Sequence, residues 1–512
     1  ANRRGRPRKD RSEQIRIGGL DRGELLAFYR NMFLSREIDD EEIRLKGKGQ
    51  IFFQINGCGH EAVNTALGMV LEGGKDWFFP YYRDRALMLQ LGLSPVEMLK
   101  TATAAADEPA GAGRQMPSHW GSERLQVVNQ SSCTGSQCLH AVGCAEAWMK
   151  GARSESLQSS IRNWTDGEIA FVSVGDGTTS EGEFWESLST ACTLDLPVLF
   201  VVEDNGYAIS VPVEVNTPGG SISKLVLGFP GLDVHEVDGC DPVKCYSLLK
   251  DVVSDMRNGN GPALVHAHVV RPYSHSLSDD EKSYRSAQER EADALRDPLL
   301  AFPQFLKDQG VATEEVLEQI RSEVRTQVRS ASDEAVASPQ PDPDTILDHL
   351  YSEQIDPTGA DFETLPAEVE GAQPTTMVDL INTALRDEMR RDPRVHLFGE
   401  DVADAPDVQE RHRPPRPAPD ARHDAATDAG VACREADAEA SPQHGVQPVE
   451  VGDIARSDAQ AIVRRARQQL AFQDFVETLH RAFERGQRLL APLRVYQVEE
   501  NPSVGGGYLV HA

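Results

Sequence analysis

The sequence predicts an α/β fold, a parallel sheet flanked by helices, with a degenerate second domain behind it. Three observations predict it. The runs Ile169–Val174 and Pro197–Val202 are almost wholly apolar, the mark of strands buried on both faces. Between them Phe184, Trp185, Leu188, Ala191 and Cys192 recur at helical spacing. A strand–helix–strand unit closes by a right-handed crossover, which makes its two strands parallel neighbours.

Composition narrows the classes. The 512 residues carry 52 basic and 81 acidic side chains, a net charge of −29, and 39% of them are hydrophobic. That length suggests two to four domains with real cores. Such an acidic chain is not a general polyanion binder, because phosphate neutralisation needs clustered Lys and Arg. No apolar run approaches a membrane span, and the first residues lack a secretory signal. The eight cysteines form no CxxC pair and no metal-like spacing. They read as reduced residues of a cytoplasmic protein.

In chain order, residues 1–16 form a basic disordered tail. Its Arg3-Arg4-Gly5-Arg6-Pro7 resembles a single AT-hook, and the reading taken is a solvated arm rather than a nucleic-acid binder. Residues 17–353 are the main α/β domain, opening on a helix marked by Leu25, Phe28, Tyr29, Met32 and Phe33. Later an apolar stripe at Val316, Leu317, Ile320, Val324 and Val328 marks another helix, ended by Ser338-Pro339-Gln340-Pro341. Residues 354–374 read as an acidic linker. A new domain opens at 375–402, with Met377, Leu380, Ile381, Ala384 and Met389 on one helical face and a strand-like Val395–Phe398 after it. Residues 403–445 hold no aromatic side chain and few aliphatics, so they cannot offset ordering entropy and are expected to be disordered. Residues 446–512 regain helical periodicity and are read as a helical remnant.

The chemistry concentrates where the two buried strands end. Gly175-Asp176-Gly177 follows the first and Asn205-Gly206-Tyr207 the second, with 27 residues between Gly177 and Asn205. In an open parallel sheet ligands sit beyond the carboxyl ends of strands, so one crossover sets Asp176 beside Asn205. A carboxylate and an amide oxygen are hard ligands, suited to Mg²⁺ carrying a phosphorylated molecule. The flanking glycines permit a tight turn and close approach of backbone N–H groups to phosphate. Ser180-Glu181-Gly182-Glu183 has capping-box spacing, which predicts a helix start whose partial positive charge favours the anion.

These residues resemble the thiamine diphosphate motif. The chain from about 20 to 353 resembles the alpha subunit of the decarboxylating component of 2-oxo acid dehydrogenase complexes, and so implies the thiamine diphosphate-binding fold. Further stretches carry the likeness in family order: Phe79–Asp84, Gly113–His119, Ser131–Gln137, Asp204–Ser210 and Ser274–Asp280. The Arg114-Gln115-Met116-Pro117-Ser118-His119 stretch and the Ser278-Asp279-Asp280 ending look more like the branched-chain, 2-oxoisovalerate type than the pyruvate type.

The resemblance implies oxidative decarboxylation of branched-chain 2-oxo acids, with acyl transfer to the lipoyl group of an acyltransferase component. Pyruvate or acetoin is the alternative substrate. It implies that Asp176, Asn205 and the Tyr207 backbone carbonyl hold Mg²⁺, and that Tyr82 and Arg83 lie on the diphosphate side with Gly175 and Gly177. Ser132 and Thr134 match a loop near the cofactor ring. Ser131, Ser136 and Gln137 match a K⁺ loop. His275 matches a mobile-loop histidine that moves protons and touches the diphosphate, and His119 is a second catalytic candidate.

The segment Thr376–Val402 resembles the opening of the beta subunit, which supplies the pyrimidine half of the site. The likeness then breaks off, and no glutamate downstream sits in a recognisable motif. The chain therefore reads as an alpha subunit fused to a truncated or frame-disrupted beta start. It is expected to need a beta-type subunit or second copy, or else to be a catalytically incomplete remnant.

Overall fold

The computed structural model describes residues 15–153, 167–346, 348, 377–392, 395, 497–501 and 507–511. Five parallel strands form the central sheet: β1 (Trp77–Phe79), β2 (Ala170–Gly175), β3 (Val198–Asp204), β4 (Asp233–Asp238) and β5 (Ala263–His268), in the order β1-β2-β3-β5-β4. Every residue of β2 and β3 is buried. The reason is visible in how their side chains divide. Phe171, Leu199, Val201, Val265 and Ala267 enter one apolar cluster, while Val172, Val174, Phe200, Val202 and Leu264 enter the other. Alternate residues point to opposite faces, so a strand covered on both sides must be apolar throughout. Each such Leu, Val or Phe contributes about 1.5–3 kcal/mol by leaving water.

The first cluster is closed by α1 (Arg22–Gly47), α2 (Glu61–Val70), α5 (Pro242–Arg257) and α6 (Glu314–Ala337). The second is closed by α3 (Ser136–Arg153), α4 (Gly182–Leu194) and the short helix Ile222–Val226. Helix α1 begins where the sequence allows it. Asp21 accepts from the Glu24 amide while the Glu24 side chain accepts from Asp21 N–H, a reciprocal cap. Leu25, Phe28, Tyr29 and Met32 are buried as their spacing requires, and Phe33 stacks on Tyr29. Helix α6 ends at Ala337, just before the proline-rich segment.

The helix expected after Gly177 is present, but its start differs. The chain first makes a 3₁₀ segment, Asp176–Ser180, and α4 begins at Gly182 behind Glu181, with no side-chain cap. The Ser180 hydroxyl donates instead to the Asn216 carbonyl. Asn216 draws Ser180 away because its own side chain also reaches this loop, at the Asp176 carbonyl.

Contacts divide the chain into two units, residues 1–402 and 403–512. In the first, α7 (Met377–Arg391) is helical as its stripe predicts, and Leu380, Ile381 and Leu385 are exposed. In the second, the described part is an antiparallel hairpin, Gln497–Asn501 with Gly507–His511, where the sequence suggested a helical remnant. Residues 1–14 of the basic tail, the 354–374 linker, nearly all of the expected 395–398 strand and the 403–445 stretch lie outside the described residues. Ile15 and Arg16, expected as the end of the disordered tail, are ordered, Ile15 packing on the core and Arg16 pairing with Asp21. Among the described residues no helix is long and apolar enough to cross a membrane.

Candidate functional site

Strands β2 and β3 pair in parallel with Gly175 opposite Glu203. Asp176, the next residue after Gly175, and Asn205, two past Glu203, therefore leave the carboxyl edge of the sheet together, as the crossover argument requires. Both are buried, at 3% and 7% exposure. The backbone N–H groups of Asp176 and Asn205 lie near enough to the Asp176 carboxylate to ease its charge. Neither makes a well-formed hydrogen bond, and both carboxylate oxygens lack a partner. Burial, and then the charge of Asp204, push the Asp176 carboxyl up to about 7. A carboxylate buried without a partner costs several kcal/mol, a cost that either protonation or a hard cation would relieve.

Asn205 turns the chain over this edge. Its Oδ1 accepts from Tyr207 N–H at 3.3 Å, and Tyr207–Ala208 pairs with Val211–Pro212 in a minimal hairpin. This hairpin packs down on the 3₁₀ turn. A Cβ on Gly177 would stand 2.6 Å from the Ala208 Cβ, and one on Gly175 would stand 2.9 Å from the Tyr81 hydroxyl. Both glycines of the motif are thus required by close approach, and no side chain larger than hydrogen fits. The Tyr207 hydroxyl donates to Glu289 at 3.0 Å.

A positive wall stands on the other side. The segment after β1 is pinned by the Tyr81 N–H, which donates to both Asp84 Oδ2 and Ser173 Oγ at 2.9 Å. This buries Arg83 at 1% exposure. Its guanidinium donates to the Asn56 carbonyl at 2.6 Å, the His275 carbonyl at 3.1 Å and His275 Nδ1 at 3.0 Å. It also lies 5.1 Å over the Tyr82 ring, and that ring meets the His275 imidazole edge-on at 6.1 Å. Arg83, Tyr82 and His275 therefore form one surface.

Arg271, which the sequence reading missed, completes this wall. It is 1% exposed, and donates through Nη2 to the Ile209 carbonyl at 2.9 Å and the Tyr284 hydroxyl at 2.7 Å. Its Nε and Nη1 are buried without acceptors. Burial first, and then Arg83, hold its pKa below the usual guanidinium range. Burial, then Arg83 and Arg271, hold His275 down to about 3, so its ring is neutral. Two buried guanidiniums, one with two orphaned donors, fit a polyanion such as a diphosphate.

The ring-side loop is more exposed. His119 Nδ1 donates to the Pro117 carbonyl at 3.1 Å, which leaves Nε2 to accept from the Ser132 hydroxyl at 3.0 Å. Burial keeps this imidazole below its ordinary pKa against the pull of that carbonyl. Ser132 and Thr134 are exposed. In the expected K⁺ loop, Ser131 Oγ accepts from Cys133 N–H and Gln137 Oε1 accepts from Gly135 N–H. The Ser136 hydroxyl donates to the Cys133 carbonyl. None of these side-chain oxygens is buried and orphaned.

Comparison with known proteins agrees with this geometry. The family model described as "Dehydrogenase E1 component" matches residues 29–344. The chain is 34% identical over 334 residues to the 2-oxoisovalerate dehydrogenase subunit alpha of Bacillus subtilis, covering 65% of this chain and 97% of that one. It is 30% identical over 349 residues to the 3-methyl-2-oxobutanoate dehydrogenase subunit alpha of Mycobacterium tuberculosis, covering 67% and 86%. It is 29% identical over 335 residues to the pyruvate dehydrogenase E1 component subunit alpha of Porphyra purpurea, covering 65% and 94%. The sheet edge, the buried Asp176 carboxylate and the arginine wall all lie inside the matched segment, and the chain belongs to the dehydrogenase E1 component family.

Proposed function

We propose that this chain is the alpha-type component of a branched-chain 2-oxo acid dehydrogenase and holds the diphosphate half of thiamine diphosphate through Mg²⁺. The observation that carries the proposal is the pair of partnerless oxygens on buried Asp176, set beside Asn205. Asp176, Asn205 and the Tyr207 carbonyl are the protein ligands in this reading. Arg83 and Arg271 face the diphosphate oxygens. The branched-chain preference follows the names of the bacterial relatives at 34% and 30% identity, and pyruvate is the second reading, from the relative at 29%.

When bound, the cofactor supplies the electron sink for decarboxylation, and the protein supplies position and proton control. Arg83 donates to both the carbonyl and the ring of His275, which fixes the imidazole against the Tyr82 ring. Its low pKa makes His275 a proton acceptor only when a nearby anion offsets the two arginines. His119, held in one tautomer by Pro117, presents Nε2 to the same loop as Ser132 and accepts a proton there. Thr134 lines that loop. A beta-type chain, or a second copy, completes the pyrimidine side, and a lipoyl-bearing acyltransferase takes the acyl group.

The test is reduction of an artificial electron acceptor driven by 2-oxoisovalerate or by pyruvate, with thiamine diphosphate and Mg²⁺, with and without an added beta-type chain. Turnover with 2-oxoisovalerate that needs the added chain supports the proposal. A clear preference for pyruvate moves it to the second reading. No turnover with either substrate and an intact beta chain overturns it.

A further inference from the structure

A second polar cluster lies on one face of the sheet, beside the edge just described. Asp204 ends β3, His266 and His268 lie on β5, and Glu236 lies on β4. The register sets Asp204 opposite His268 and Glu236 opposite His266. Residues two apart share a face, so all four side chains converge on the side that also carries Val202 and Leu264. His266 is fully buried and Asp204 is 8% exposed, while the His268 side chain is 42% exposed.

The hydrogen bonds fix how each residue is oriented. The Ser223 hydroxyl has one proton, which it donates to Glu236 Oε1. Its 3.1 Å contact with His266 Nδ1 must then use the ring proton, so Nδ1 is the donor and Nε2 faces Asp204 Oδ2 at 2.9 Å. His268 Nε2 lies 3.4 Å from Glu236 Oε2, which leaves Nδ1 turned to Asp204 Oδ2 at 3.9 Å. The other Asp204 oxygen accepts the Gly206 N–H at 2.8 Å.

Asp204 Oδ2, His266 Nε2 and His268 Nδ1 are thus each aimed inward, and each is backed by a fixed partner on its far side. We propose that these three atoms bind a divalent transition ion of the zinc class, at a site separate from the Mg²⁺ site of Asp176. The three atoms lie within 4.8 Å of one another. Ligands at about 2.0–2.1 Å in a tetrahedral shell stand roughly 3.4 Å apart, and the measured 2.9 Å and 3.9 Å bracket that spacing. Two imidazoles with one carboxylate select a borderline metal over Mg²⁺ or Ca²⁺. The outer partners, Ser223 and Glu236, set tautomer and ring orientation, as acceptors behind metal-bound histidines do. The half-exposed His268 leaves the fourth position open to water. An ion here ties the ends of β3 and β5 together one residue before Asn205. The competing arrangement is a direct hydrogen bond from His266 Nε2 to Asp204 with no ion between them.

The test uses the full chain stripped of metal, with Mg²⁺ in excess and thiamine diphosphate omitted, titrated with Co²⁺ as an optical probe. The expected result is one equivalent bound with tetrahedral visible bands and no thiolate-to-cobalt charge transfer. His268→Gln weakens this binding roughly tenfold or more, and Glu236→Gln weakens it about tenfold. His266→Gln abolishes it, and Asp176→Asn leaves it intact. If His266→Gln fails to fold, the exposed His268→Gln decides. Absence of the bands in the unsubstituted chain, wild-type affinity in His268→Gln, or loss in Asp176→Asn each overturns the assignment. The last result would place the ion at Asp176.

Discussion

Arg83 Nη2 stands 3.0 Å from His275 Nδ1 and also donates to the His275 carbonyl, so a buried cation grips an imidazole by its ring and its backbone together. A protonated ring could not accept that bond. The contact therefore selects the neutral histidine, and it governs how this side of the site responds to acid.

That response gives the first prediction. Inside the fold His275 has its pKa held down to about 3, below the ordinary 6.5 of an imidazole, so between these values the unfolded chain binds more protons. The stability this group contributes is complete above about pH 6.5 and is lost as pH falls toward 3. Thermal midpoints followed against pH should show the wild type losing ground to His275→Gln below about pH 6.5. A pH-independent difference would remove the assignment of a neutral ring.

Arg271→Met should weaken thiamine diphosphate binding by roughly ten- to a hundredfold, the worth of about 1.5–3 kcal/mol for hydrogen bonds to a charged group. Titration calorimetry with Mg²⁺ present measures it. Thiamine without its diphosphate should bind both proteins alike. An effect equal for the two ligands would show that Arg271 acts on folding rather than on the anion.

Gly177→Ala should destabilise the chain by about 1–3 kcal/mol, because its Cβ meets that of Ala208 at 2.6 Å. Adding Ala208→Gly removes the colliding atom and should restore much of the loss. Denaturant unfolding of the single and double variants checks this, and simple additivity would contradict the close approach.

Ser132→Ala takes the hydroxyl from His119 Nε2 while Pro117 continues to hold Nδ1. Turnover should fall by about tenfold with the melting temperature nearly unchanged, since Ser132 is exposed. Unaltered kcat in the assembled enzyme would make this pair structural.

Much of this was legible in the sequence because it depends on period and on chain order. Strands β2 and β3 declared themselves by apolar runs, and the crossover between them sufficed to bring Asp176 to Asn205. Arg83 and His275 were found through local motifs, though their contact joins residues 192 apart and no periodicity encodes it. Arg271 was missed for a related reason. It lies just past a third apolar strand, Ala263–His268, whose histidines disguise it, and an arginine there reads as surface until the fold buries it. The capping box at Ser180 misled because spacing cannot reveal that Asn216, 36 residues on, competes for the same hydroxyl.

Asp176 and Arg271 are opposite charges, each enclosed with atoms that no protein group satisfies. On the proposed function, one molecule would bring a metal to the first and an anion to the second, and whatever binds only the native state raises its stability in proportion to the logarithm of its concentration.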